Sequence, residues 1–194
     1  MASLFEARWR ELDLLDAGAG KGALALALVK RLCASPQKPG RISVTAYELD
    51  ESLIEALQAN LRNCRRECER AGVRFSASVF NEDFVAAAAP MVRGDFFAAQ
   101  RPHFNAAIVN PPYRKIHSES PTRLRLRSAG IETSNLYTGF VALISKLLAE
   151  NGELVAITPR SFCNWPTRPS PNSRRQPKGI WPSASRPSLP LSSR

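Results

Sequence analysis

Two hydrophobic periods alternate along the chain. Residues 12–16 (LDLLD) form a short apolar run that ends in an acid, and a glycine-rich turn follows. Residues 21–33 (KGALALALVKRLC) are strong helix formers. Residues 42–47 (ISVTAY) have strand character, and residues 51–71 repeat Leu53, Ile54, Leu57 and Leu61 along one helical face. Residues 73–79 alternate as a third strand and residues 104–109 (FNAAIV) form a fourth. Residues 135–150 read as a helix, and Asn151-Gly152 turns the chain into a fifth strand over 153–158. Strands separated by helices predict right-handed βαβ units. The expected fold is α/β, a doubly wound, mostly parallel sheet of order 3-2-1-4-5, with no internal repeat.

A chain of 194 residues suits one domain with a sizeable core. No apolar run approaches the roughly 18 residues that span a bilayer, and residues 1–10 carry Glu6, Arg8 and Arg10 with no small-residue cleavage site. Cys33, Cys64, Cys68 and Cys163 are too few and too unpatterned for a disulfide framework, which predicts a reducing, cytoplasmic setting. Cys64 and Cys68 stand one helical turn apart, but no second CxxC or His pair accompanies them, so free thiols are expected and no metal. His103 and His117 have no evident partner.

The formal net charge of +10 points to a polyanionic partner, nucleic acid above all. Six of those charges fall in residues 165–194 (Arg168, Arg174, Arg175, Lys178, Arg186 and Arg194), which contain no acid. That stretch also holds seven prolines and seven serines, a composition that cannot offset its own ordering entropy. Residues 1–164 are therefore expected to form the core and 165–194 a disordered tail. It is either a native basic arm or the product of a shifted reading frame, and the abrupt break within an element favours the frame shift. Arg62, Arg65, Arg66 and Arg70 share a helix with Glu67 and Glu69 and read as its wet face.

Three loops carry candidate chemistry. Gly18 and Gly20 lie between the first strand and its helix, where they permit a tight turn and close ligand approach. A plain βα turn is the alternative there. Gly20-Lys21 is followed by Gly22 and not by Ser or Thr, so a phosphate cradle is not expected. Asp16 would repel a pyrophosphate and suits a cationic ligand. S-adenosylmethionine, with its ammonium and sulfonium, fits that demand. A carboxylate of Tyr47-Glu48-Leu49-Asp50, at the end of the second strand, is placed to accept from ribose hydroxyls. Asn81-Glu82-Asp83-Phe84 ends the third strand, where an acid and an aromatic could bond an adenine amino group and cover its ring, although Asp83 reads equally as a helix N-cap.

Asn110-Pro111-Pro112-Tyr113 is the most specific feature. Paired prolines stiffen a turn and remove two donors, leaving carbonyls free to accept. The Asn110 side chain and the Pro111 carbonyl can both accept from a planar NH2 group, which localises the nitrogen lone pair. Tyr113 would stack on the ring that bears the amine. A Pro-Pro turn with a buried Asn is the alternative. Arg114, Lys115, Arg123, Arg125 and Arg127 follow on an expected long loop, either as a phosphate track or as a solvated surface.

Taken together, DAGAGKG (16–22), YELD (47–50), NEDF (81–84) and NPPY (110–113) resemble the γ-class N6-adenine DNA methyltransferases of restriction–modification systems. Residues 135–164 are similar to the helix and strand that follow NPPY in that family. The resemblance covers nearly all of residues 2–164. It implies a Rossmann-like fold with S-adenosylmethionine as methyl donor. Asp16, Gly18, Gly20 and Glu48 would hold its amino-acid and ribose parts, and Asp83 and Phe84 its adenine. Asn110, Pro111, Pro112 and Tyr113 would engage a target adenine rotated out of duplex DNA. The family adds an upstream motif, a later β-hairpin and a DNA-recognition region, so the resemblance implies a core truncated at both ends. A separate recognition domain or restriction subunit would then be a partner. The same chemistry serves methylation of a protein glutamine or an RNA adenine, and a non-catalytic, basic nucleic-acid-binding fragment is the reading from another class.

Overall fold

Side chains along β1 (Glu11–Ala17) alternate between two faces of a sheet, and both faces are buried. Leu12 and Leu14 enter one apolar cluster with Val44, Leu57 and Ile108. Leu15 and Ala17 enter the other with Val85, Val109 and Leu143. Each fully buried leucine contributes on the order of 2 kcal/mol. In this computed structural model, Phe5, residues 9–94 and residues 104–158 are described. They belong to one unit within Met1–Thr158. His103, Cys163 and the Pro/Ser/Arg-rich stretch lie outside the described residues.

The remaining elements are α1 (Ala23–Cys33), β2 (Arg41–Tyr47), a 3₁₀ turn (Glu51–Leu53), α2 (Ile54–Ala71), β3 (Arg74–Phe80), α3 (Phe84–Arg93), β4 (Phe104–Val109), α4 (Pro121–Ser128), α5 (Leu136–Leu147) and β5 (Leu148–Ala156). The sheet order is β3-β2-β1-β4-β5, the doubly wound order expected above. All four pairings are parallel. Helices α1 and α2 pack together on one face, and α3 packs with α4 and α5 on the other. Winding reverses between β1 and β4, where Asp16 pairs with Ile108.

Three elements differ from the sequence reading. Helix α3 follows β3 directly, with Asp83 as its N-cap: the Asp83 carboxylate accepts from Val85 N at 2.8 Å. Helix α4 occupies what reads as loop, because Ser120 caps it and Pro121 opens it, the residue types that best start a helix. Asn151-Gly152 falls inside the span of β5, where the register with β4 shifts between Phe104 and Ala106 and Asn151 takes a φ of 61°. The turn is there, but it is a bulge within the strand.

The two ends of the sheet have different work. At the amino ends of the strands the Arg41 guanidinium binds Asp13 at 2.8 Å and Glu11 at 2.9 Å, and Arg74 reaches Glu11 at 3.4 Å. The Asn105 side chain accepts from Asp13 N and donates to Glu11 O, joining β4 to β1. The carboxyl ends carry the three loops with candidate chemistry.

Gly22 sits between the loop and α1 at a φ of 74°, and a Cβ there would lie 2.7 Å from Leu57 Cδ1. Left-handed backbone costs a non-glycine residue about 1–2 kcal/mol. Gly22→Ala is therefore expected to lower the unfolding free energy by that amount, read as a lower urea midpoint at unchanged slope.

Candidate functional site

The glycine loop is shaped by the end of β2. Both Gly18 N and Ala19 N donate to the Tyr47 carbonyl at 2.9 Å. Gly18 and Gly20 adopt φ values of 76° and 56°, which a side chain would strain. Glu48 then links loop and strand: one carboxylate oxygen accepts from Gly20 N at 2.7 Å and the other from Asp50 N at 2.8 Å. Each oxygen keeps a second acceptor site. Asn81 donates to the Glu48 carbonyl at 2.9 Å, which ties the end of β3 to the same place.

A cleft of about 390 Å³ opens where these loops meet the end of β4. Gly18, Tyr47, Glu48, Asp50, Glu82, Asp83 and Phe84 line one side of the fold's switch point, and Asn110 and Pro112 line the other. Arg114, Thr122, Leu136 and Phe140 complete the wall. Seven of the candidate site residues singled out from the sequence (Gly18, Glu48, Asp83, Phe84, Asn110, Pro112 and Arg114) thus share one crevice, whereas Asp16, Gly20, Pro111 and Tyr113 are not part of its lining. Phe84 is buried against Tyr47 and Phe140, with ring centroids 5.4 and 5.1 Å away, so it forms wall more than lid. Phe140 and Leu136 escaped the sequence reading because they look like the ordinary apolar face of a helix.

Asp16 lies at the end of β1, sealed from solvent at 1% exposure, and is the sole buried charged residue among those described. Neither of its carboxylate oxygens has a hydrogen-bond partner. An ionised group in that position is costly, and burial, with Glu48 nearby, raises its pKa to about 7. An orphaned buried carboxylate beside a glycine loop calls for a cationic group, which is the test that an ammonium- and sulfonium-bearing ligand meets.

Pro111 and Tyr113 continue the fourth strand's loop. Tyr113 is 47% exposed, and its hydroxyl lies 2.6 Å from the Ile157 carbonyl and 3.0 Å from Asn110 Oδ1. One phenol proton cannot serve both acceptors fully. The hydroxyl can donate to the Ile157 carbonyl alone, which leaves Asn110 Oδ1 able to accept from another donor. Burial and Tyr137 raise the Tyr113 pKa, so the phenol stays protonated.

The five basic residues separate. Arg114 stands in the cleft wall, and Lys115 pairs with Asn135 in an isolated antiparallel bridge. Arg123, Arg125 and Arg127 lie on α4, where Arg123 and Arg127 both bind Glu132. This spacing across a helix end gives no signal in sequence. Arg125 is exposed. Cys64 and Cys68 are buried between α1 and α2 beside Cys33, as free thiols; burial pushes Cys64 up to about 12 and holds it un-ionised. Among the described residues no group of three or more His, Cys, Asp or Glu fits a metal ion, and no helix is long and apolar enough to cross a membrane.

A five-stranded parallel sheet with an acidic cleft at its switch point is the framework of nucleotide-type ligand binders. A class I S-adenosylmethionine-dependent methyltransferase structure from Listeria monocytogenes matches it with a TM-score of 0.58 at 12% identity, over 81% of this chain and 42% of that one. The chain belongs to the Eco57I restriction-modification methylase family, which it matches over residues 24–175. It is 42% identical over 166 residues to the Type II methyltransferase M.PstI of Providencia stuartii, and 40% identical over 169 residues to M.BsuBI of Bacillus subtilis. Each alignment covers 86% of this chain and 32% of the relative, so the chain spans about a third of their length. A tRNA1(Val) (adenine(37)-N6)-methyltransferase of Shewanella sediminis is 27% identical over 147 residues, covering 76% of this chain and 52% of that protein.

The Asp16 carboxyl gives a pH signature. Its folded pKa lies above the unfolded value, so the native state holds the extra proton between about pH 4 and pH 7. Stability from this group is present below that window and lost as the pH rises through it. Asp16→Asn is therefore expected to stabilise the ligand-free chain by a few kcal/mol at pH 8. The gain should shrink toward zero near pH 4 in parallel urea titrations.

Proposed function

We propose that this chain is the catalytic core of a restriction–modification enzyme that transfers a methyl group from S-adenosylmethionine to the N6 amine of adenine in DNA. One observation carries the reading: Asn110 and the Gly18–Glu48 pair line the same cleft. The methyltransferase relatives support the cofactor and the reaction class. The tRNA enzyme's printed activity supports an adenine N6 target for this arrangement.

In this reading Gly18 and Gly20 keep the loop flat enough for backbone to approach the ligand. The unpartnered Asp16 carboxylate balances the ammonium group, and the spare lone pairs of Glu48 accept from the ribose hydroxyls. Asp83 and Phe84 flank the adenine end, Asp83 while still capping α3. When bound, S-adenosylmethionine supplies an electrophilic methyl group on sulfur. Asn110 Oδ1 and the Pro111 carbonyl accept the two hydrogens of the target amine, which drives the nitrogen toward tetrahedral geometry with its lone pair toward that methyl. Pro112 contributes stiffness, because a fixed φ leaves the corner little freedom to swing. The methylated nitrogen then releases one proton to water. Tyr113 offers a ring face to the rotated base.

Arg114 faces a wall with Glu48, Asp50, Glu82 and Asp83. Lys115 and Arg125 are exposed cations suited to phosphate contact, and Arg123 and Arg127 would reach a phosphate only by sharing it with Glu132. The rest of the relatives' length is where a recognition region or a restriction subunit would act as partner. A bacterial cytoplasm is the expected setting.

Transfer of labelled methyl from S-adenosylmethionine to DNA, RNA and protein acceptors tests the reading. Incorporation confined to adenine-containing DNA, recovered as N6-methyladenine after digestion, is the expected result; incorporation into RNA or protein alone overturns it. Asn110→Ala should lower kcat by about 10²–10³ while calorimetric affinity for S-adenosylmethionine stays within about twofold.

A further inference from the structure

Tyr113 does not stand alone. The chain leaving the diproline corner is stitched antiparallel to the residues that lead into α5. Ile116 N donates to Ser134 O at 2.8 Å, Lys115 bridges to Asn135, and Leu136 N donates to Arg114 O at 3.0 Å. One further step in that register sets Tyr113 opposite Tyr137. Their rings stack with centroids 5.6 Å apart and planes inclined by 24°. Stacked aromatic pairs of this kind hold each other's orientation.

Both rings are pinned at their far ends as well. The Tyr113 hydroxyl donates to Ile157 O, and the Tyr137 hydroxyl lies 3.2 Å from Thr158 Oγ1, so both phenols are moored to the end of β5. The Tyr137 backbone is fixed too, since its N–H donates to the Asn135 side chain that caps α5. Tyr113, half exposed, therefore has one face backed by a restrained ring.

We infer that Tyr137 is a positioning residue, whose ring backs Tyr113 so that an incoming adenine completes a three-ring stack of base, Tyr113 and Tyr137. The inference rests on the methyl-transfer reading above. It assigns Tyr137 no contact with the base. Without the backing ring, the hydroxyl's hydrogen bonds alone restrain Tyr113, its ring tilts more freely, and the amine then meets Asn110 in a wider spread of orientations. A base stacked on a mobile ring loses part of its stacking advantage, which for a base on an aromatic side chain amounts to about tenfold or more.

Steady-state methylation of adenine-containing DNA by the 194-residue chain tests this with Tyr137→Leu, Tyr137→Phe, Tyr113→Ala and the double variant Tyr113→Ala/Tyr137→Leu. Tyr137→Leu keeps apolar volume but removes the ring face, and kcat should fall about tenfold. The KM for S-adenosylmethionine should stay within about twofold. Tyr137→Phe should restore kcat to within about twofold of wild type, and the double variant should be no slower than Tyr113→Ala alone. A wild-type rate in Tyr137→Leu, a multiplicative loss in the double variant, or a raised KM for S-adenosylmethionine would each overturn the role. A folded wild-type chain that methylates no adenine would instead sink the functional reading and this inference with it.

Discussion

The Tyr47 carbonyl accepts from two successive backbone N–H groups of the glycine loop, and the site's layout follows from that bifurcated anchor. It forces the chain leaving β1 to cross the end of β2 instead of rising into solvent. Gly18 and Gly20 meet the demand with left-handed backbone. Glu48, the next residue after Tyr47, is thereby brought against the loop, where its carboxylate closes the remaining N–H of Gly20. Binding groups and the turn that presents them are thus one hydrogen-bonded unit.

Much of this was legible beforehand. Parallel strands alternating with helices followed from the two hydrophobic periods and the handedness of βαβ units, and the shared crevice followed from the doubly wound order, which makes β1 and β4 neighbours. Less visible was α4. A Ser120-Pro121 start is a fair helix signal, yet residues 121–128 carry three arginines and no apolar stripe beyond Leu124 and Leu126. Its stability comes from context. Leu126 is buried under α5, where Gly139 leaves room for it, since a Cβ at 139 would lie 2.7 Å from the Leu126 side chain. The joint grip of Arg123 and Arg127 on Glu132 was invisible for the same reason: it depends on how the chain turns back after the helix.

Electrostatics divides the molecule in a way that net charge conceals. A chain of formal charge +10 carries a cleft lined by Glu48, Asp50, Glu82 and Asp83, with Asp16 sealed behind it. Such a cavity repels phosphate and favours cations, whatever the outer surface attracts. The buried carboxylate is a local destabilisation held by the well-packed strands on either side, a pattern typical of positions kept for ligand binding.

The Arg41 clamp lies at the amino ends of the strands, away from all of this. It spans β1 and β2 directly and reaches β3 through the shared carboxylate of Glu11. Rigidity is therefore supplied at one rim and reactivity at the other, with a full strand length between them. That separation gives protein engineers a handle: a hydrophobic or disulfide replacement for the clamp could harden the scaffold without entering the reaction chamber.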